Sequence, residues 1–122
     1  MPCVLIVEDH EDTAELVDLM LTSNGYRTIR ARNGFEALEQ MAWAKPCLVL
    51  LDMMMPVMDG WEFRRRQLEN PVIADIPVIG VTAYYDPGLV EEKLGIRCIP
   101  KSKLSRIVDE TRALCGPPVP NP

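Results

Sequence analysis

Short apolar runs alternate along this chain with longer stretches in which apolar residues fall three and four apart. Cys3 to Val7, Cys47 to Leu51 and Val78 to Val81 are nearly continuous runs, with the length and make-up of strands buried on both faces, as parallel sheets require. Tyr26 to Ala31 alternates more and reads as a strand nearer an edge, and Arg97 to Ile99 is a short fifth candidate. Between them, Leu16, Val17, Met20 and Leu21 mark a first helix, and Leu38, Met41 and Ala42 a second. Leu104, Ile107, Val108, Thr111 and Leu114 form what reads as one continuous stripe on a last helix.

Asn24-Gly25, Asn33-Gly34 and Asp59-Gly60 supply turn or cap residues at the junctions. Strand and helix therefore alternate throughout, which predicts an open, doubly wound parallel sheet with right-handed crossovers. Ligands of such sheets bind outside the carboxyl ends of the strands. A chain of 122 residues has the size of one domain, here expected over residues 1–116. Residues 117–122 are rich in proline, cannot extend a helix, and read as a frayed end or linker stub.

Composition narrows the function. At 48% hydrophobic and 25% charged residues the chain is ordinary for a globular domain. Its net charge of −5 argues against nucleic acid as a partner, because phosphate backbones are held by net basic faces. The one basic run, Arg64, Arg65 and Arg66, reads as a solvated helix face. The four cysteines form no CxxC pair and are expected to be reduced and structural. The start of the chain turns acidic too soon for a signal peptide or membrane span, so the expected location is cytoplasmic, with no membrane partner.

The residues just beyond the expected strands carry the chemistry. Glu8 and Asp9 follow the first, Asp52 the third, Thr82 the fourth and Lys101 the fifth. Carboxylates crowded on one rim repel by roughly 1–4 kcal/mol per pair at 4 Å, depending on the effective dielectric, so a cation must offset them. A hard divalent ion suits oxygen donors of this kind. Asp52 is then a candidate nucleophile of the type that forms an aspartyl-phosphate, with Lys101 and Thr82 neutralising the phosphoryl oxygens. A carboxylate ionised at neutral pH needs no general base, so His10 has no part in the chemistry.

The stretches Val4-Leu5-Ile6-Val7-Glu8-Asp9, Leu50-Leu51-Asp52-Met53-Met54-Met55-Pro56-Val57-Met58-Asp59-Gly60, Val81-Thr82-Ala83 and Pro100-Lys101 resemble the receiver domain of two-component response regulators, of the chemotaxis-regulator type. The resemblance implies a flavodoxin-like fold, a five-stranded parallel sheet of order 2-1-3-4-5 with helices on both faces. It implies Asp52 as phosphoacceptor, and Asp9, Asp52 and the Met54 backbone carbonyl as ligands of Mg²⁺ or Mn²⁺, with Glu8 acting mainly through metal-bound water. Thr82 would be the switch hydroxyl and Lys101 its ion-pair partner. The implied donor is a phosphohistidine on a histidine kinase or phosphotransfer protein, and the output a downstream protein target or homodimer. The domain would be a signalling phosphoacceptor that catalyses only its own phosphorylation and dephosphorylation.

Departures from the family pattern point to an altered readout. Cys98 stands where members commonly carry an aromatic switch residue, and Ser102 stands where proline usually follows the lysine and is a candidate cap for the last helix. The segment between Thr82 and Lys101 is short, with its helix expected to begin near Leu89. Tyr84 and Tyr85 form an aromatic pair suited to a partner surface, whereas Trp61 and Phe63 read as packing residues. A degenerate receiver serving as a constitutive docking or dimerisation module is the alternative that such changes would tolerate. An aspartate-based phosphatase fits less well, since Met54 occupies the place of the second acid in a DxD motif.

Overall fold

Val4, Leu5, Ile6 and Val7 are all buried, so the strand they form, β1 (Cys3–Val7), must be covered on both faces. The same holds for β3 (Leu48–Asp52) and β4 (Val78–Thr82), in which every residue is buried. The edge strands β2 (Arg27–Ala31) and β5 (Arg97–Pro100) begin with exposed arginines. The computed structural model describes residues 3–118. Its five strands pair in parallel in the order β2-β1-β3-β4-β5, as expected for a flavodoxin-like sheet.

Five helices cover this sheet: α1 (Glu11–Thr22), α2 (Gly34–Ala44), α3 (Gly60–Glu69), α4 (Pro87–Leu94) and α5 (Ile107–Cys115). Val4, Ile6, Leu48 and Leu50 face a core closed by α1 and α5, while Leu5, Val7, Val49 and Leu51 face a second core closed by α2, α3 and α4. The helices thus lie on both faces. Asn33 and Asp59 cap α2 and α3 by accepting, through their side chains, the N–H of Glu36 and of Glu62, both at 2.9 Å.

Several helical details differ from the expected stripes. The buried line of α1 is Ala14, Val17 and Leu21, and Leu16 faces solvent. In α2 it is Gly34, Ala37 and Met41, with Ala42 exposed. Small alanines, not the largest side chains, allow these helices to approach the sheet. α4 starts at Pro87, two positions before Leu89, because proline is well suited to the first turn.

The last stripe is not continuous. A 3₁₀ stretch over Lys101–Arg106, with Lys103 out of helical geometry, separates Leu104 from α5, and Leu114 is exposed. Ser102 lies inside that stretch and caps nothing at α5, whose preceding residue is Arg106 with no side-chain cap.

The chain just after α5 makes tertiary contacts as far as Pro118. The Tyr26 hydroxyl donates to the Gly116 carbonyl at 2.8 Å, and the Pro118 ring lies 3.0 Å from where a Cβ on Gly25 would stand. The rest of the expected tail, residues 119–122, lies outside the described residues. The cysteines also differ from expectation. Cys47 and Cys115 form a disulfide, their Cα atoms 5.5 Å apart across a sequence separation of 68, leaving Cys3 and Cys98 as free thiols. Cysteines that distant in sequence are brought together only by the fold, so their spacing held no sign of the pairing.

Gly60 opens α3 directly against the strand that carries Asp52. A Cβ there would stand 2.8 Å from the Met53 Cα, a backbone atom that cannot rotate aside. Gly60→Ala should therefore lower stability by about 1–3 kcal/mol despite alanine's better helix propensity. Urea unfolding would show it as a lower midpoint at unchanged slope; an unchanged or higher midpoint would contradict the close approach.

Candidate functional site

Parallel register brings one end of every strand to the same rim. Val7 pairs with Leu51, Asp52 with Val81, and Thr82 with Pro100. Glu8 and Asp9 therefore leave β1 beside Asp52 at the end of β3, and Lys101 leaves β5 on the far side of Thr82. One carboxylate oxygen from each of Glu8, Asp9 and Asp52 lies within 4.8 Å of the others.

Burial sets the electrostatics. Glu8 is 7% exposed and Asp52 5% exposed, whereas Asp9 faces solvent. The Lys101 ammonium lies 2.7 Å from Glu8 Oε1 and 3.6 Å from Asp52 Oδ2, so one cation serves two buried acids. Burial pushes the Glu8 carboxyl up to about 7, and its hydrogen bond with Asp52 adds to the rise, with Lys101 only partly opposing it. For Lys101, burial works against the charged form, but its hydrogen bond to Glu8 and the charge of Asp52 outweigh that, and its pKa is raised.

The loop after Asp52 shapes the cleft. The Met54 N–H donates to Asp52 Oδ1 at 3.2 Å, which orients the carboxylate and places the Met54 peptide beside it. Met55 and Met58 turn into the core while Met54 and Val57 stay exposed. Val57 has a φ of 71°, a left-handed conformation that is unfavourable for a β-branched residue.

Thr82 is 2% exposed, and its Oγ1 accepts the N–H of Tyr84 at 3.2 Å and of Tyr85 at 2.9 Å. The structure thus brings Glu8, Asp9, Asp52 and Lys101 into one cluster and puts Thr82 at the neighbouring strand end, its oxygen engaged by the following loop. Tyr85 in turn stacks edge-on against Trp61 and Tyr84, with ring centroids 5.4 and 5.3 Å away. This aromatic group joins the loop after β4 to the start of α3. Sequence reading had the residues but not the hydroxyl contact that ties them to the site, because a threonine bonding two and three residues ahead leaves no distinctive pattern.

Elsewhere the arginine run is solvated only in part: Arg64 is half-buried, its guanidinium donating to Gln67 Oε1 at 2.8 Å, while Arg65 and Arg66 are exposed. Arg65 pairs with Glu62 and Glu69, and Arg66 with Glu62. Among the described residues, no helix is long and apolar enough to cross a membrane.

A 2-1-3-4-5 parallel sheet with an acidic, lysine-bridged cleft at its carboxyl edge defines a flavodoxin-like α/β domain. Residues 4–99 match the response regulator receiver domain, and the chain belongs to that family, the receiver domains of two-component signalling. The polar-differentiation response regulator DivK of Brucella anthropi is 40% identical over 81 residues, covering 66% of this chain and 66% of that protein, just under two thirds of its length. The N-terminal domain of a response regulator receiver protein from Methanoculleus marisnigri is 37% identical, with a TM-score of 0.75 over 89% of this chain and 91% of that one. The receiver domain of Francisella response regulator 1452, at 24% identity, shares the fold, with a TM-score of 0.83 over 93% and 96% of the two chains.

The Glu8 shift has a measurable sign in metal-free protein. Between about pH 4.5 and 7 the folded chain holds a proton on Glu8 that the unfolded chain has released, so this group's contribution to stability falls as pH rises through that window. Glu8→Gln should gain steadily on wild type as pH rises across the same window. Chemical denaturation in EDTA at stepped pH would measure it; a difference between the two proteins that stays flat with pH would refute the shift.

Proposed function

We propose that this domain takes a phosphoryl group from a phosphohistidine onto Asp52 and uses it to switch a protein contact. The observation that carries this reading is the convergence of Asp52 with Glu8, Asp9 and Lys101 at the strand ends, in a chain of the receiver family. An Asp52 carboxylate oxygen attacks phosphorus in line, the bond from phosphorus to the donor's imidazole nitrogen breaks, and the departing nitrogen keeps the electron pair. Such transfer asks mainly for positioning and charge neutralisation.

The donor set fits a hard cation, since it consists of clustered carboxylate oxygens. Asp9, Asp52 and the Met54 carbonyl would hold Mg²⁺ or Mn²⁺, with Glu8 behind them. When bound, the ion neutralises phosphoryl oxygens. Lys101, already 3.6 Å from Asp52, supplies a second positive charge to the product, and the Thr82 hydroxyl, both of whose lone pairs are in use, has its proton to donate. The donor is a cytoplasmic histidine kinase or phosphotransfer protein, and the listener a protein target or a second copy of the chain.

The readout runs through the loop after β4, not through Cys98. Cys98 is a small buried thiol and cannot toggle as an aromatic ring does, whereas Tyr84 is 75% exposed and hangs from the Thr82 hydroxyl by its own N–H. This coupling favours a working switch over a constitutive docking module.

Incubation with Mg²⁺ and acetyl phosphate should add one phosphoryl mass to wild type and none to Asp52→Asn. Equal labelling of both, or of neither, would overturn the assignment. Met54 and Tyr84 are bulky, exposed side chains on the loops that follow Asp52 and Thr82, and on this reading they would screen the acyl phosphate from water. Met54→Ala and Tyr84→Ala should each shorten its lifetime several-fold, read as loss of the added mass over time. Unchanged decay would remove the screening role while leaving the acceptor intact.

A further inference from the structure

The end of the molecule opposite the acidic cleft holds a feature that phosphoryl transfer does not use. Cys47 immediately precedes β3, the strand that ends in Asp52, and Cys115 closes α5. Their disulfide closes a loop with a sequence separation of 68, and that loop contains Asp52, Thr82 and Lys101. Both cysteines are half-buried at the edge of the core, not sealed inside it. The buried Cys98 and the free Cys3 remain outside the pair.

The helix that Cys115 ends is held along its body by the Arg97–Glu110 ion pair, but its last turn has little else. α5 fully buries only Ile107 and Thr111, and the buried Thr111 hydroxyl oxygen has no hydrogen-bond partner. The helix starts without a side-chain cap after a 3₁₀ stretch broken at Lys103. A helix this short does not persist on its own propensity. Besides the disulfide, its far end is fastened by the Tyr26–Gly116 hydrogen bond and by Pro118 resting on Gly25.

We propose that Cys47 and Cys115 are a reversible dithiol–disulfide modification site that sets how firmly α5 is docked. Two cysteine thiols and one low-molecular-weight disulfide give the protein disulfide and two small-molecule thiols. One sulfur–sulfur bond forms as another breaks, through a mixed disulfide, and the two thiol hydrogens leave on the released small thiols. Oxidation pins the end of α5 to the base of β3; reduction leaves that end to the tyrosine and proline contacts, with the Arg97–Glu110 ion pair and the buried Ile107 and Thr111 holding the helix body. The site is separate from the acceptor cleft and acts whether or not Asp52 is phosphorylated.

The test uses the whole chain equilibrated with oxidised glutathione or with dithiothreitol. Alkylation in denaturant followed by intact mass should find two free thiols after the first and four after the second. Amide hydrogen exchange over Thr111–Cys115 should be at least about ten-fold slower in the oxidised protein, and Cys47→Ser/Cys115→Ser should exchange at the reduced rate under both conditions. Four free thiols after oxidation, glutathione retained on either cysteine, or equal α5 exchange in the two states of wild type would each overturn the proposal. The wild-type comparison needs no variant to fold.

Discussion

The structure depends on keeping three carboxylates together where the strands end. Each pair within about 4 Å costs roughly 1–4 kcal/mol unless positive charge is near, and Glu8 and Asp52 are too buried to be relieved by water. The rim can accept positive charge in three forms. Lys101 supplies an ammonium to both buried acids; a proton can settle on Glu8, as its raised pKa indicates; and the clustered carboxylates could admit a divalent ion. These forms compete, because each satisfies the same field. A cleft of this kind responds to whatever changes its charge, and adding a phosphoryl group to one carboxylate is such a change.

That crowding is tolerable only on a rigid support. β1, β3 and β4 are buried along nearly their whole length and locked in register, and a slip by one residue would turn every side chain to the opposite face. Met53 extends the support past the strand. It is fully buried, its N–H donates to the Val81 carbonyl at 3.1 Å, and its own carbonyl accepts the Gly60 N–H at 3.2 Å. The acceptor aspartate is thus followed at once by a residue fastened to both β4 and α3. Strain is displaced farther along, to Val57 at the exposed tip of the loop, where the misfit does not disturb the acids.

Most of this could be read from the chain because it rests on local patterns. Apolar runs marked the buried strands, within a residue at each end, and the rim residues followed from where those runs stop. Asn33 and Asp59 were legible as caps because capping needs only a short-range contact. What escaped depends on tertiary contact. Leu16 and Leu114 fit a helical period yet face solvent, since alanine positions decide how α1 approaches the sheet and a broken 3₁₀ stretch resets the phase of α5. The Cys47–Cys115 pairing and the hold on Pro118 arise from segments far apart in sequence, and no spacing rule reaches them.

The face around β5 shows how the missing aromatic is accommodated. β5 is an edge strand, and a free edge invites pairing with another chain. Here the outward N–H of Cys98 is taken by the Glu91 carboxylate from α4 at 3.0 Å, and Arg97 pairs with Glu110 of α5 at 2.6 Å. The edge is closed by side chains of both neighbouring helices, with no ring inserted among them, so movement at Thr82 has little to displace on that side. Its other connections run through the N–H groups of Tyr84 and Tyr85. Any shift of that hydroxyl must either carry the loop along or leave two backbone donors unpaired, the latter at about 1–3 kcal/mol for each donor that stays buried. Moving the loop is the less costly course, and the loop bears the most exposed aromatic near the cleft.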